Sequence, residues 1–203
     1  VGALAGGAMQ GLCGVFAGVF APPTLVLLRL MRLTNRFFWV AAVIGLVLDQ
    51  LTKQWIVHAF ELTVPPETVA LWPGVFHLTY VTNTGAAFSL FSENGEWLRW
   101  LSLLVSLALA VLGWWVALAN RWEQVGYGLI LSGALGNGID RFLSGEVVDF
   151  FDFRLIRFPI FNVADVCINI GIVCLVIAAF RASADDAGNG NGKSGAGGKK
   201  INS

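Results

Sequence analysis

The stretch QVGYGLILSGALGNGIDR, residues 124–141, decides the fold. It is short for a membrane span and rich in glycine, yet Gly128, Ser132 and Gly136 recur at every fourth position. Small residues at that spacing form a stripe along one helix face, against which a neighbouring helix can pack closely. The stretch therefore reads as a central helix buried in protein, which requires other helices around it.

Those neighbours lie on both sides in the sequence. A helix needs about 20 mainly apolar residues to cross a bilayer, and residues 37–57, 98–119 and 163–181 meet that requirement. Of the 203 residues, 56% are hydrophobic and only 13% charged, against roughly 45–50% and about 25% in soluble domains. The solvent for most of this surface is a bilayer. The expected fold is an all-α membrane protein, a four-transmembrane-helix bundle with a small external β-rich cradle.

The cradle comes from the segments between the spans. Residues 58–97 contain TVPPETVALW and VFHLTYVTNTG, alternating and β-branched runs broken by Pro65, Pro66, Pro73 and Gly74, which suits short strands at the membrane surface. Trp55, Trp72, Trp97 and Trp100 fall near expected span ends, where amphipathic rings favour the interface, although plain packing explains them equally well. Arg29, Arg32 and Arg36 precede the first span, Arg121 sits between the second and third, and Arg181, Lys193, Lys199 and Lys200 follow the fourth. By the positive-inside rule both termini are cytoplasmic. Arg154 and Arg157 weigh the other way, but four spans place the termini on one side in any case. Loops 58–97 and 142–162 are then external.

The chain divides into residues 31–181, a membrane domain, and two unlike ends. Residues 182–203 are rich in glycine, asparagine and serine, the composition of a disordered tail. Residues 1–30 are apolar but lack a basic leading region and contain Pro22-Pro23, making a poor signal peptide and a broken helix. Met31 opens MRLTNRFFWV, so 1–30 reads as an extension upstream of the true start, with a fifth hydrophobic segment as the alternative.

Composition also excludes functions. Thirteen basic and thirteen acidic residues give no net charge, and no basic surface of the kind that binds nucleic acid. Cys13, Cys167 and Cys174 make neither a disulfide framework nor a Cys-x-x-Cys site. With only His58 and His77 and no His-Glu-x-x-His, a zinc protease is not supported. No metal and no cofactor are expected.

Charges inside a span cost at least about 2.5–3.5 kcal/mol each by insertion scales and need a partner or a purpose. Asp49 and Lys53 stand four apart, the spacing of an ion pair on one helix face; a structural bridge and a substrate contact both remain open. Asn137, Asp140 and Arg141 share one face of the third span, a neutral trio suited to locking two helices and a loop together. Asp149 lies among Val147, Val148, Phe150 and Phe151, where desolvation should favour its protonated form. Asp165 follows Asn162 by three residues at a helix start, an N-cap and N3 pair, where the helix dipole favours a carboxylate. Two carboxyls in contrasting environments are what acid–base chemistry on one water requires. By spacing alone Asp140 competes with Asp149 as the partner of Asp165.

DQLTK at 49–53, NTGAAFS at 83–89, GALGNGIDR at 133–141, GEVVDF at 145–150 and FNVAD at 161–165 resemble, in order and spacing, the motifs of the signal peptidase II family. Thr84 and Ser132 stand where that family often has proline and glycine. The resemblance implies an aspartyl endopeptidase of the bacterial inner membrane, cutting signal peptides from prolipoproteins whose lipobox cysteine carries diacylglycerol; a monomer with its site near the outer face is expected. It places the catalytic dyad on Asp149 and Asp165. Substrate-binding or site-ordering roles fall on Asp49, Lys53, Asn83, Gly133, Asn137, Asp140, Arg141 and Asn162. Prolipoproteins and membrane lipid are the implied partners.

Other classes fit less well. A serine intramembrane protease wants Gly-x-Ser-Gly, whereas Ile130-Leu131 precede Ser132-Gly133; a Gly-x-Gly-Asp protease is missed by one residue in GNGID at 136–140. A proton channel relaying through Asp49, Asp140 and Asp165 is physically reasonable, but the sequence has no internal repeat.

Overall fold

A computed structural model describes residues 35–85, 97–156 and 158–193, with side chains to residue 184. Residues 1–30, the start at Met31 and residues 86–89 of the second motif lie outside the described residues. The described chain is mostly helical: α1 (Arg36–Ala59), α2 (Trp97–Trp115), α3 (Arg121–Leu143) and α4 (Val163–Lys193), with a small antiparallel sheet of β1 (Thr68–Trp72), β2 (Phe76–Asn83) and β3 (Val147–Phe153).

Three helices, α1, α2 and the part of α4 from Val163 to Ala184, are long and apolar enough to cross a membrane. Helix α3 has 23 residues, roughly 34 Å at 1.5 Å per residue. Its glycines and its charges at both ends keep its composition below that of a free-standing span. It packs against α1, α2 and α4 alike, and the glycines are the reason. A Cβ on Gly128 would strike the Phe38 carbonyl of α1, and one on Gly136 the Asp49 carboxylate; Ser132, between them, faces Gly45. The expected small-residue stripe is thus the α1 interface. Gly133 faces the Ala164 carbonyl and Ile168 of α4, and Gly138 faces Ser102 of α2.

Helix ends are tied down locally. Buried Asn35 donates to the Gly113 carbonyl at 2.9 Å and to that of Val116 at 2.5 Å, and accepts from Leu118 N at 3.1 Å, satisfying carbonyls that the end of α2 leaves open. Asn120 caps α3 by accepting from Glu123 N. Helix α4 runs on through Lys193, taking in residues 182–193 that composition assigns to a disordered tail. Extending a formed helix is far easier than starting one, and Ala182, Ala184 and Ala187 favour it.

The sheet has the order β1-β2-β3, with Val81 opposite Asp149 and Asn83 opposite Val147. It is anchored by a cluster of Ile56, Phe60, Leu78, Tyr80 and Phe150, which joins the end of α1 to β2 and β3. A second cluster, around Phe38, Ala42, Leu118 and Leu131, holds the opposite end of the bundle. Outward faces are apolar: Val43, Ile44, Leu51, Leu104, Leu107 and Val173 are exposed, as are Trp55, Trp72, Trp97 and Trp100. Apolar exteriors with tryptophans near helix ends are the mark of bilayer contact.

Candidate active site

The capping pair expected at the start of α4 forms in both directions. Asp165 N donates to Asn162 Oδ1 at 3.1 Å, and Asn162 N donates to Asp165 Oδ2 at 3.2 Å, a capping box built from an amide and an acid. The box fixes Asp165 in the first turn of α4 and leaves the Asn162 amide nitrogen free to reach elsewhere. It donates to Asp149 Oδ1 at 2.7 Å and to Asn137 Oδ1 at 3.0 Å. Asn162, wholly buried, therefore ties both carboxyls to α3.

Asp149 is delivered by β3, where alternation puts Val147 and Asp149 on the face that lines the cavity and Phe150 on the other, buried in the cluster with Ile56 and Phe60. Its second oxygen accepts from Asn83 Nδ2 at 3.1 Å across the β2–β3 ladder. Burial is the largest influence on this carboxyl and the charge of Asp165 the next; together they push its pKa up to about 7, against the hydrogen bonds from Asn83 and Asn162 and the charge of Lys53. The expected desolvation is thus present. Asp165 Oδ1 accepts from Asn137 Nδ2 at 3.0 Å.

Beneath the two acids lies a charged layer. Lys53 Nζ sits 2.9 Å from Asp49 Oδ2, 2.8 Å from Asp140 Oδ2 and 2.9 Å from Asn137 Oδ1. All three ammonium protons have an acceptor. Asp49, fully buried, also accepts from Ala164 N at 2.8 Å, which pins the start of α4 to α1. Asp140 accepts from Gln50 Nε2 at 3.2 Å and from Val148 N at 3.4 Å. Asp140 thus joins α1, α3 and the start of β3, and the charges do not pair within the trio Asn137, Asp140 and Arg141. Asp140 goes to Lys53 rather than to its neighbour Arg141, so the two clusters read separately in sequence make one network. Arg141 instead donates to the Asn137 and Gly85 carbonyls, both at 3.4 Å, and its buried Nε takes no partner among the described residues.

A cavity of about 820 Å³ opens beside these groups. Asn83, Asn137, Arg141, Asp149 and Asp165 line its polar side, and Phe158, Ile160, Phe161, Val166 and Ile170 its apolar side. Asp149 and Asp165 are among the lining residues and Asp140 is not. Gly133 acts through backbone proximity, by letting α4 approach. Gln50 and Asn169 belong to the site as well and carry no expectation from sequence, although Gln50 lies inside DQLTK. Among the described residues no group of three or more His, Cys, Asp or Glu could hold a metal.

A membrane bundle carrying two buried-edge carboxyls on one mixed polar and apolar cavity is built as a membrane aspartic peptidase is built. Comparison with known proteins narrows that class. Residues 41–181 match the family described as signal peptidase (SPase) II, and the chain belongs to that family, a family of aspartic peptidases. It is 69% identical over 153 residues to a lipoprotein signal peptidase of Cyanothece sp., covering 74% of this chain and 87% of that protein. It is 61% identical over 156 residues to the lipoprotein signal peptidase of Thermosynechococcus vestitus, covering 75% and 97%. A solved bacterial membrane enzyme superposes with a TM-score of 0.65 at 30% identity, covering 80% of this chain and 93% of that one. A second does so with a TM-score of 0.61 at 34% identity, covering 69% and 90%.

Proposed function

We propose that this peptidase cleaves the signal peptide from prolipoproteins whose lipobox cysteine carries diacylglycerol, with Asp149 and Asp165 as its catalytic pair. The observation that carries the reading is Asn162, one buried residue whose side-chain amide donates to the Asp149 carboxyl and whose backbone N–H donates to that of Asp165, holding both on one cavity. A cavity with one polar and one apolar side suits a peptide that leaves a membrane helix at its cleavage point. Non-helical backbone is tolerated at that depth where protein and water line it.

Asp165, at a helix N-terminus, serves as the base, and Asp149, whose burial favours the acid form, carries the shared proton. Water loses a proton to Asp165 as its oxygen bonds to the scissile carbonyl carbon, and Asp149 protonates the carbonyl oxygen. Collapse of the resulting gem-diol breaks the C–N bond. The leaving nitrogen takes the proton held by Asp165, and Asp149 recovers its own.

In the membrane, α3 serves as a fourth span shielded by the other three, both termini are cytoplasmic, and the sheet and cavity lie at the outer face of the inner membrane. The enzyme works as a monomer in contact with lipid. The β1–β2 hairpin meets the cavity at Val81, Thr82 and Asn83, which suits it to cover bound substrate from outside. Accelerated proteolysis of residues 58–82 that substrate does not slow would count against that cover.

The decisive assay is cleavage of a diacylglyceryl-modified prolipoprotein by wild type, Asp149→Asn and Asp165→Asn. Each variant should lose cleavage by at least about 10²-fold. Full activity in either would overturn the pair, and equal cleavage of unlipidated precursor would overturn the substrate.

A further inference from the structure

One cavity-lining polar side chain is used neither by the two acids nor by the network beneath them. Asn169 lies on α4 one turn beyond Asp165 and is exposed to the cavity. It stands in VCINIGIVCLV, a run otherwise suited to lipid, beside Val166 and Ile170, which line the same cavity. Its Nδ2 donates to the Asp165 carbonyl at 2.9 Å, the local bond by which a short polar side chain settles in a helix. That contact occupies one of its two N–H donors. The other donor and Oδ1 take no further partner among the described residues.

A free N–H and a free C=O are the complement of a peptide group. An unwound peptide inside a membrane protein has peptide groups that must find partners. The position of Asn169 says which one it meets. Four residues along α4 are about 6 Å, equal to about two residues of extended chain at 3.3 Å each. Asn169 lies on the membrane side of Asp165, the side from which a signal peptide arrives.

We infer that Asn169 is a substrate-binding residue whose carboxamide pairs with the substrate backbone about two residues before the scissile bond, holding the unwound end of the signal peptide extended. The inference rests on the proposed function. A contact with backbone reads no side chain, so it tolerates varied sequences, and it is made before the chemistry as well as during it. Such uniform binding acts on KM rather than on kcat.

The test pairs Asn169→Val with synthetic diacylglyceryl lipopeptides carrying an ester in place of one amide, placed one, two or three residues before the cleavage site. An ester removes the backbone N–H that Oδ1 would accept. With the all-amide peptide, Asn169→Val removes both hydrogen bonds of the carboxamide and should raise KM by roughly tenfold or more, leaving kcat within about twofold. In wild type the ester near the second position removes only the bond to Oδ1 and should raise KM by a smaller factor, and in Asn169→Val it should add nothing. Asn169→Val places an aliphatic side chain in an apolar helix, so its melting temperature in detergent should not fall. Wild-type KM in the variant, a loss in kcat instead of KM, or an ester penalty equal in both proteins would each overturn the inference. Cleavage retained by Asp149→Asn or Asp165→Asn would overturn the proposed function itself, whatever Asn169→Val does.

Discussion

Lys53 Nζ stands 2.9 Å from Asn137 Oδ1, and this contact decides which way the Asn137 amide faces. An ammonium only donates, so the oxygen of Asn137 must point to Lys53 and its nitrogen to Asp165. The same oxygen accepts from Asn162. Through one charge on α1, the hydrogen-bond direction of the two amides around both acids is set.

Replacing Lys53 by Met should therefore do two separable things. Asp49 and Asp140 lose their buried counter-charge, which costs about 3–5 kcal/mol of stability, readable as a lowered melting temperature in detergent. Asn137 is freed to rotate, and the remaining folded enzyme should lose cleavage by roughly tenfold or more, the effect of one charge-assisted hydrogen bond. Unchanged specific activity per folded molecule would show that the amide is held by other means.

Asp149 gives the protein a pH dependence whose sign follows from its environment. Its folded pKa of about 7 lies above the unfolded value of about 3.9. Below pH 4 both states hold the proton and there is no penalty. Between about 4 and 7 the unfolded chain has released it and the folded chain has not, so stability falls as pH rises, levelling off above about 7. Asp149→Asn should flatten that slope in denaturation curves taken from pH 4 to 8. Cleavage that needs the acid form should decline above about pH 7 in the wild type, which a pH–rate profile of kcat/KM will show.

Asn162 separates capping from catalysis. Asn162→Asp keeps an oxygen to cap α4 but loses the N–H donors to Asp149 and Asn137 and adds a third carboxyl beside Asp149 and Asp165. Cleavage should fall at least about 10²-fold while the helix start survives. Asn162→Ala should lose cleavage too, and cost a further ~1 kcal/mol from the missing cap. Equal stability of the two variants would argue that the cap contributes little.

How much of this was legible in the sequence depends on the range of each interaction. The capping box of Asn162 and Asp165 is local, so spacing announces it, and the Gly128, Ser132 and Gly136 stripe announces a helix contact because close approach demands small residues wherever it occurs. The Lys53 to Asp140 bridge was not legible. It depends on how α1 is rotated against α3, and spacing within either helix favours nearer partners: Asp49 for Lys53, and Arg141 for Asp140. Asn169 is invisible for another reason. Nothing in VCINIG distinguishes a polar residue facing a cavity from one facing a neighbouring helix, and only the position of Phe158 to Phe161 across from α4 makes that face a cavity wall. The continuation of α4 to Lys193 escaped because composition reports what can be buried, while helix propagation follows from the turn already formed.

The closest backbone approach in the site gives a last test. Gly133 has no room for a side chain, since a Cβ there would collide with the Ala164 carbonyl and with Ile168. Ala164 is the residue before Asp165, and its own N–H is pinned to Asp49 at 2.8 Å. Gly133→Ala must therefore push the first turn of α4 away from α3 while Asp49 holds it, and the displacement falls on Asp165. Overpacking of this kind costs about 1–3 kcal/mol, but a misplacement near 1 Å can cost about 10²-fold in rate, so cleavage should suffer far more than folding. Gly138→Ala, on the same helix, is the control. Its Cβ would meet only Ser102 Cβ of α2, at 3.1 Å, a side chain that can give by a few tenths of an ångström on a helix that carries neither acid. Comparable rate losses in the two variants, measured with equal folded protein, would mean that the rate follows general packing of α3 and not the placement of Asp165.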